Sequence, residues 1–157
     1  MTLEELEKRI KAIEDTEEVK KLHIRYITCL NFAKWDELID CFAENSTLDL
    51  GEGSEEGRIV KGKAEIAKAF EHMAAYHLGK EGYAIVHPSI SVDGDTATGT
   101  WMSYFMEGLS QGKEPRLHWM QGVYDCKYVK ENGKWKFSLL KWRSHLKYRP
   151  SEMYLVP

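Results

Sequence analysis

The chain has few cysteines, no excess of basic charge and no long apolar run. Cys29, Cys41 and Cys126 are an odd set without a CxxC pair, which encodes neither a disulfide framework nor a zinc-thiolate site. Buried, reduced thiols are expected. Basic residues number 22 against 25 acidic ones, the net charge is −3, and the two signs are interspersed, which argues against a nucleic-acid partner. No stretch approaches the roughly 18 apolar residues of a membrane span, and MTLEELEKRIKAIEDTEEVKK carries no apolar leader, so a cytoplasmic location is expected. P-loop, GxSxG, Rossmann and metal-ligand motifs are also missing. His72 and His77 stand five apart, a spacing that puts them on different faces of a helix. Neither a cofactor nor a metal is therefore expected.

What is present is a single globular domain of 157 residues with five Trp, eight Tyr and five Phe. Leu3, Leu6, Ile10 and Ile13 recur at helical spacing and predict an amphipathic arm over residues 1–14. Thr16 resembles the N-cap of a second helix, whose stripe runs through Val19, Leu22, Tyr26, Leu30 and Ala33. A further helix near Lys34 carries Trp35, Leu38, Ile39 and Phe42, and Ser46 to Leu50 reads as a strand. Gly62 to His77 predicts another helix, with Gly79 as its stop. Four strand-like runs follow, Tyr83 to Val92, Thr96 to Glu107, Arg116 to Lys130 and Trp135 to Tyr148. Asp-Gly in VDGD and Asn-Gly in ENGK are two-residue hairpin signals, so the last three runs form an antiparallel meander. Helices first and a long sheet afterwards is an α+β arrangement, with the helices on one face.

The YITCLNFAKWDELIDCF helix pair and the VHPSISVDGDTATGTW and KYVKENGKWKFSLLKWR hairpins resemble the SnoaL-like branch of the nuclear-transport-factor-2-like superfamily. Nearly the whole chain is covered, and the nearest group is that of bile-acid and scytalone dehydratases. The resemblance implies a cone-shaped α+β barrel, three main helices on a curved, mainly antiparallel sheet. It also implies a cofactor-independent lyase or isomerase acting next to a carbonyl on a cyclic, polyketide-like or steroid-like molecule.

Three polar residues lie in segments that otherwise read as the lining of that cone: Tyr26, His87 and Arg143. The resemblance makes His87 the base, a role suited to an imidazole near neutral pH. Strict alternation with Ile90 and Val92 turns His87 away from the interior unless Pro88 marks a bulge, and a structural His is the alternative. Tyr26 matches a helix Tyr of the dehydratases, and a buried phenol needs a partner, either ligand oxygen or backbone. Arg143 follows Trp135, Phe137 and Leu139 at even spacing, so it shares their face and there requires an acid, carbonyls or an anionic ligand. On the alternative parity Leu140 and Trp142 are the core and Arg143 lies outside. Two positions depart from the family pattern: Asn31 stands where the dehydratases carry Asp, and Leu50 where they carry Tyr. Asn31 would orient His87 without charge, and Asp49, on the opposite parity, cannot replace the missing group. Trp101, Phe105, Trp119, Leu50 and His145 are the expected ligand contacts. A non-catalytic small-ligand-binding domain is the competing reading. Association as a homodimer or homotrimer through the exposed sheet face is expected, because Trp119, Trp142 and several Tyr cannot all fit one small core.

Overall fold

A computed structural model describes residues 1–51, 59–75, 81–111 and 114–148. Helix α1 (Leu3–Asn31) begins at a capping box, in which Glu5 N donates to the Thr2 hydroxyl at 3.1 Å and Thr2 N donates to the Glu5 carboxylate at 2.7 Å. This reciprocal pair satisfies two of the amides that a helix start leaves open. The break expected at Thr16 does not occur. Its hydroxyl donates one turn back to Ala12 O at 2.7 Å, so the arm and the core-facing segment are one continuous helix. Residues 1–14 are exposed throughout, whereas Val19, Leu22, His23, Tyr26, Ile27 and Leu30 are buried.

Asp15 marks the point where the helix meets the body. Its carboxylate accepts from Lys130 Nζ at 2.6 Å and from Trp135 Nε1 at 2.9 Å, tying α1 to the last hairpin. Burial pushes the carboxyl pKa up, but the two hydrogen bonds outweigh it and hold it below the ordinary value.

Next come α2 (Trp35–Ile39), β1 (Phe42–Asp49), β2 (Val60–Lys61) and α3 (Lys63–Ala74). Strand β1 starts at Phe42, which therefore belongs to the sheet and not to the second helix. His77 and Gly79 lie outside the described residues. Four long strands complete the chain, β3 (Gly82–Asp93), β4 (Thr96–Gln111), β5 (Glu114–Glu131) and β6 (Lys134–Tyr148). The sheet order is β2-β1-β6-β5-β4-β3, antiparallel at every neighbour except the parallel β1 and β6. Asn132 and Gly133 both take positive φ, 52° and 76°, as a two-residue turn matched to strand twist requires. The other turn sits one residue later than the Asp-Gly pair, because Asp93 pairs with Thr96 and leaves Gly94 and Asp95 between them.

The helices cover one face of this sheet, which is open at its β2 and β3 edges. Trp101, Tyr124, Cys126, Tyr128, Phe137, Leu140 and Trp142 point into that face and are buried. Each such side chain contributes about 1.5–3 kcal/mol of hydrophobic stabilisation. The run is not in simple alternation. A register shift lies between the pairs Tyr128↔Phe137 and Lys127↔Leu139, so the inward set continues as Leu140 and Trp142 instead of Leu139.

Candidate functional site

That register shift decides where Arg143 goes. Even spacing from Phe137 predicts an inward guanidinium, but with the shift Trp142 takes the inward place and Arg143 projects from the opposite face. There it finds the acid and carbonyls that its charge requires. Nη2 donates to Asp49 Oδ2 at 2.7 Å, and Nη1 donates to Asp49 O at 3.2 Å and Trp142 O at 2.8 Å. The Arg143 hydrogen bond holds the Asp49 carboxyl below its ordinary pKa. Gly51, at φ 81°, lets the chain pass over this pair, since a Cβ there would lie 3.1 Å from Nη1. Leu50, Arg143 and His145 are brought together beside Trp142 and Lys147, around a hollow of about 330 Å³.

His87 lies in an irregularity of edge strand β3. Between the pairs Val86↔Met102 and Ser89↔Thr100, His87 and Pro88 together oppose Trp101, so the bulge suggested by Pro88 is present. His87 takes φ 52°, uncommon for a non-glycine residue, and its side chain remains exposed. The bulge therefore changes the parity without burying the imidazole.

Asn31 does not orient His87. Its Nδ2 donates to Tyr83 O at 3.0 Å, and its Oδ1 accepts from Tyr83 N at 2.7 Å. The side-chain amide pairs with the strand as another backbone amide would, and it fixes the C-terminal end of α1 to the start of β3. Tyr83, four residues before His87, is the residue that faces position 31.

The interior between these elements holds a cluster of phenols. Tyr26 is buried against the rings of Phe42, Phe70, Phe137 and Tyr124 and is hydrogen-bonded to Tyr124. Tyr124 is pushed well above the ordinary phenol pKa, first by desolvation and then by Tyr26, with Tyr83 contributing as well. Tyr124 therefore stays protonated. Phe105 joins them to the outside: its ring lies 4.8 Å from that of Tyr83 and 6.0 Å from that of Tyr124, and it stacks on Trp142 at 5.2 Å. Trp142 Nε1 in turn donates to Ser103 Oγ at 2.9 Å. On the opposite face of the sheet, where Tyr104 and Met106 alternate with the inward Phe105, lies an apolar hollow of about 640 Å³, walled by Tyr104, Met106, Trp119, Met120 and Tyr148 over the small Gly82 and Ala84. Two of the expected ligand contacts, Phe105 and Trp119, thus share one cavity.

Trp101 occupies a third place. Its Nε1 donates to Tyr128 Oη at 3.1 Å, and that hydroxyl is hydrogen-bonded at 2.9 Å to Nδ1 of His23, which has no exposed surface. Desolvation pulls the His23 pKa down to about 3, so the ring is neutral. His23, Tyr83 and Tyr124 were not singled out by sequence. The signal for His23 was its position beside Leu22, four residues after Val19; for Tyr124 it was alternation with Cys126 and Tyr128.

The sequence-expected residues therefore fall into separate places. Tyr26 is in the aromatic interior, Arg143, Leu50 and His145 are at the hollow beside Asp49, Asn31 is on Tyr83, and His87 is exposed on the edge strand. Among the described residues no group of His, Cys, Asp and Glu is placed to hold a metal, and no helix is long and apolar enough to cross a membrane.

Comparison with known proteins agrees with this architecture. The hexachlorocyclohexane dehydrochlorinase LinA-type3 from Novosphingobium barchaimii superposes with a TM-score of 0.79 at 15% identity, over 95% of this chain and 99% of the other. A protein from Novosphingobium aromaticivorans named for scytalone dehydratase gives 0.76 at 15%, over 92% and 93%. An NTF2-like protein with a cystatin-like fold from the same organism gives 0.70 at 19%, over 90% and 88%. At these identities the likeness is one of fold. The sequence itself matches the SnoaL-like domain over residues 11–141, which takes in α1 from its second half-arm onward and the sheet as far as Lys141. With helices, strand order and sequence in agreement, the chain belongs to the SnoaL-like family.

Proposed function

We propose that this protein binds a small, apolar, cyclic molecule bearing an oxygen, of the polyketide or steroid type, without a cofactor. The observation that carries this reading is the Asn31 to Tyr83 pair. Where a dehydratase would set a carboxylate on a basic imidazole, this chain sets a neutral amide on backbone, and the candidate base His87 is exposed elsewhere. What remains is suited to recognition. The 640 Å³ hollow on the outer sheet face supplies apolar walls, and Phe105, which contributes to its lining, packs on the inner side against Tyr83 and Tyr124.

A second reading, a cofactor-independent dehydratase or isomerase, is favoured by the Tyr26 and Tyr124 pair. Phenols in an aromatic interior are donors of the kind that stabilise an enolate oxygen. That chemistry also needs a base within reach of the ligand, the role the family resemblance assigns to His87. We further propose that the protein works as a homodimer or homotrimer, and its three free, buried thiols fit a reducing cytoplasm.

The experiment is a binding screen by tryptophan fluorescence with cyclic ketones, phenols and steroid-like compounds, run beside a dehydration and isomerisation assay. Binding without turnover, weakened about tenfold by Trp119→Ala (about 1.4 kcal/mol), supports the first reading. Turnover abolished by His87→Ala would replace it with the second, and no binding by any compound would remove both.

A further inference from the structure

We propose that the N-terminal arm is a dimerisation element, which pairs in parallel with the arm of a second copy of this chain as a two-heptad coiled coil. Leu3, Leu6, Ile10 and Ile13 are between 39% and 72% exposed although they form one continuous apolar stripe. Their spacing of three, four and three residues is that of alternating core positions in a coiled coil, and not the broader stripe of a helix resting on a sheet. The next two positions in that repeat are Glu17 and Lys20, which are paired with each other at 2.5 Å, so the seam ends where the helix reaches its own domain. From Asp15 onward α1 turns a different stripe, beginning at Val19, toward the sheet. Among the described residues the arm therefore has no core to cover.

Two further observations set it apart from the rest of the fold. The SnoaL-like match begins at residue 11, so Leu3, Leu6 and Ile10 lie outside the matched segment. The arm is also held by local bonds, the Thr2 and Glu5 capping box and the Lys8 to Glu4 ion pair at 3.1 Å. A pre-formed helix loses little conformational freedom on pairing.

Charge selects both the partner and the direction. The positions flanking the seam hold Glu7 and Glu14 on one side and Thr2, Arg9 and Thr16 on the other. In a parallel pair the contacting flank positions are five residues apart, which sets Arg9 of each copy against Glu14 of the other, twice over. In an antiparallel pair the same seam sets Glu7 against its own copy and Arg9 against its own copy. Opposite charges meet in one arrangement and like charges in the other.

Cysteine cross-linking tests this with the full chain, because Cys29, Cys41 and Cys126 are at most 1% exposed and do not compete. Under mild oxidation Leu6→Cys and Ile13→Cys should each give a covalent dimer. Lys8→Cys, on the far side of the helix, should give at least tenfold less. In sedimentation across a concentration series, Arg9→Glu should weaken association about tenfold, and adding Glu14→Arg to it should restore it. Circular dichroism of each variant establishes that α1 remains helical. Equal cross-linking from all three cysteine positions would overturn the proposal. So would a preference for mixed Leu3→Cys with Ile13→Cys dimers, which marks an antiparallel pair. Loss of association with Trp119→Asp but not with Ile10→Asp would place the contact on the apolar sheet face instead and overturn it too.

Discussion

His23 and Tyr128 are hydrogen-bonded at 2.9 Å in the centre of the protein, 105 residues apart in the chain, and they join the first helix to the fifth strand. The imidazole is ringed by Tyr26, Trp101, Tyr124 and Phe137 at centroid distances of 4.7 to 6.1 Å. Its Nε2 has no hydrogen-bond partner among the described residues. A protonated ring would be a buried cation with nothing to balance it.

This gives stability a defined pH dependence. The folded pKa is about 3 against the ordinary 6.5 of a free imidazole, so below 6.5 the unfolded chain takes up a proton that the folded chain refuses. The stabilisation is complete above pH 6.5 and is lost as pH falls toward 3, at up to about 1.4 kcal/mol per unit. Urea unfolding at pH 7.5, 6.5, 5.5 and 4.5 should show that loss, and His23→Phe should flatten it by about 2.7 kcal/mol over the range. Parallel curves for the two proteins would mean that another group controls acid unfolding.

Much of this fold was legible because it rests on local periodicity. Val19, Leu22, Tyr26 and Leu30 give α1 its buried face, and Asn132 with Gly133 encodes the last hairpin directly. The site was less legible because it depends on register. A single shift near Ser138 exchanges the faces of Leu139 and Leu140, and so of Arg143 and Trp142, and nothing in the residue types announces it. The Asn31 contact was hidden for a different reason. A side-chain amide serves a carboxylate's place and a backbone strand equally well, and only the tertiary approach of β3 chooses Tyr83 over His87. His23 was overlooked because a helix of mixed charge offers many polar positions, and only packing shows which one is enclosed.

Strand register also gives a prediction at Gly122. A second shift in β5 and β6 lies between Gln121 and Gly122, and a Cβ on Gly122 would lie 2.4 Å from Arg143 O and 2.8 Å from the Trp142 indole. Backbone cannot yield as a flexible side chain does. Gly122→Ala should therefore cost about 2–4 kcal/mol and loosen the Arg143 to Asp49 contact on the adjoining strand. Chemical denaturation measures the cost, and a loss under about 0.5 kcal/mol would show that this shift has room to relax.

Asn31 is the residue at which structure and family pattern part, and Asn31→Asp separates the two readings of function. Asn31 uses its amide hydrogen on Tyr83 O and its oxygen on Tyr83 N, an exchange that a carboxylate can complete on one side only. In place of the donor, Asp would set a negative oxygen about 3 Å from a carbonyl oxygen, a repulsion added to a lost hydrogen bond. If the amide is there to hold β3 on α1, the substitution should cost about 1–3 kcal/mol by urea unfolding and yield no dehydratase activity on cyclic hydroxy-ketones. Amide exchange should quicken at Tyr83, where the strand is released, before it does in the Phe137 to Trp142 core. If position 31 instead supports a base, the carboxylate should bring turnover with it. A stable, active Asn31→Asp protein would then return the lyase reading to first place and require β3 to move so that an imidazole reaches the new acid.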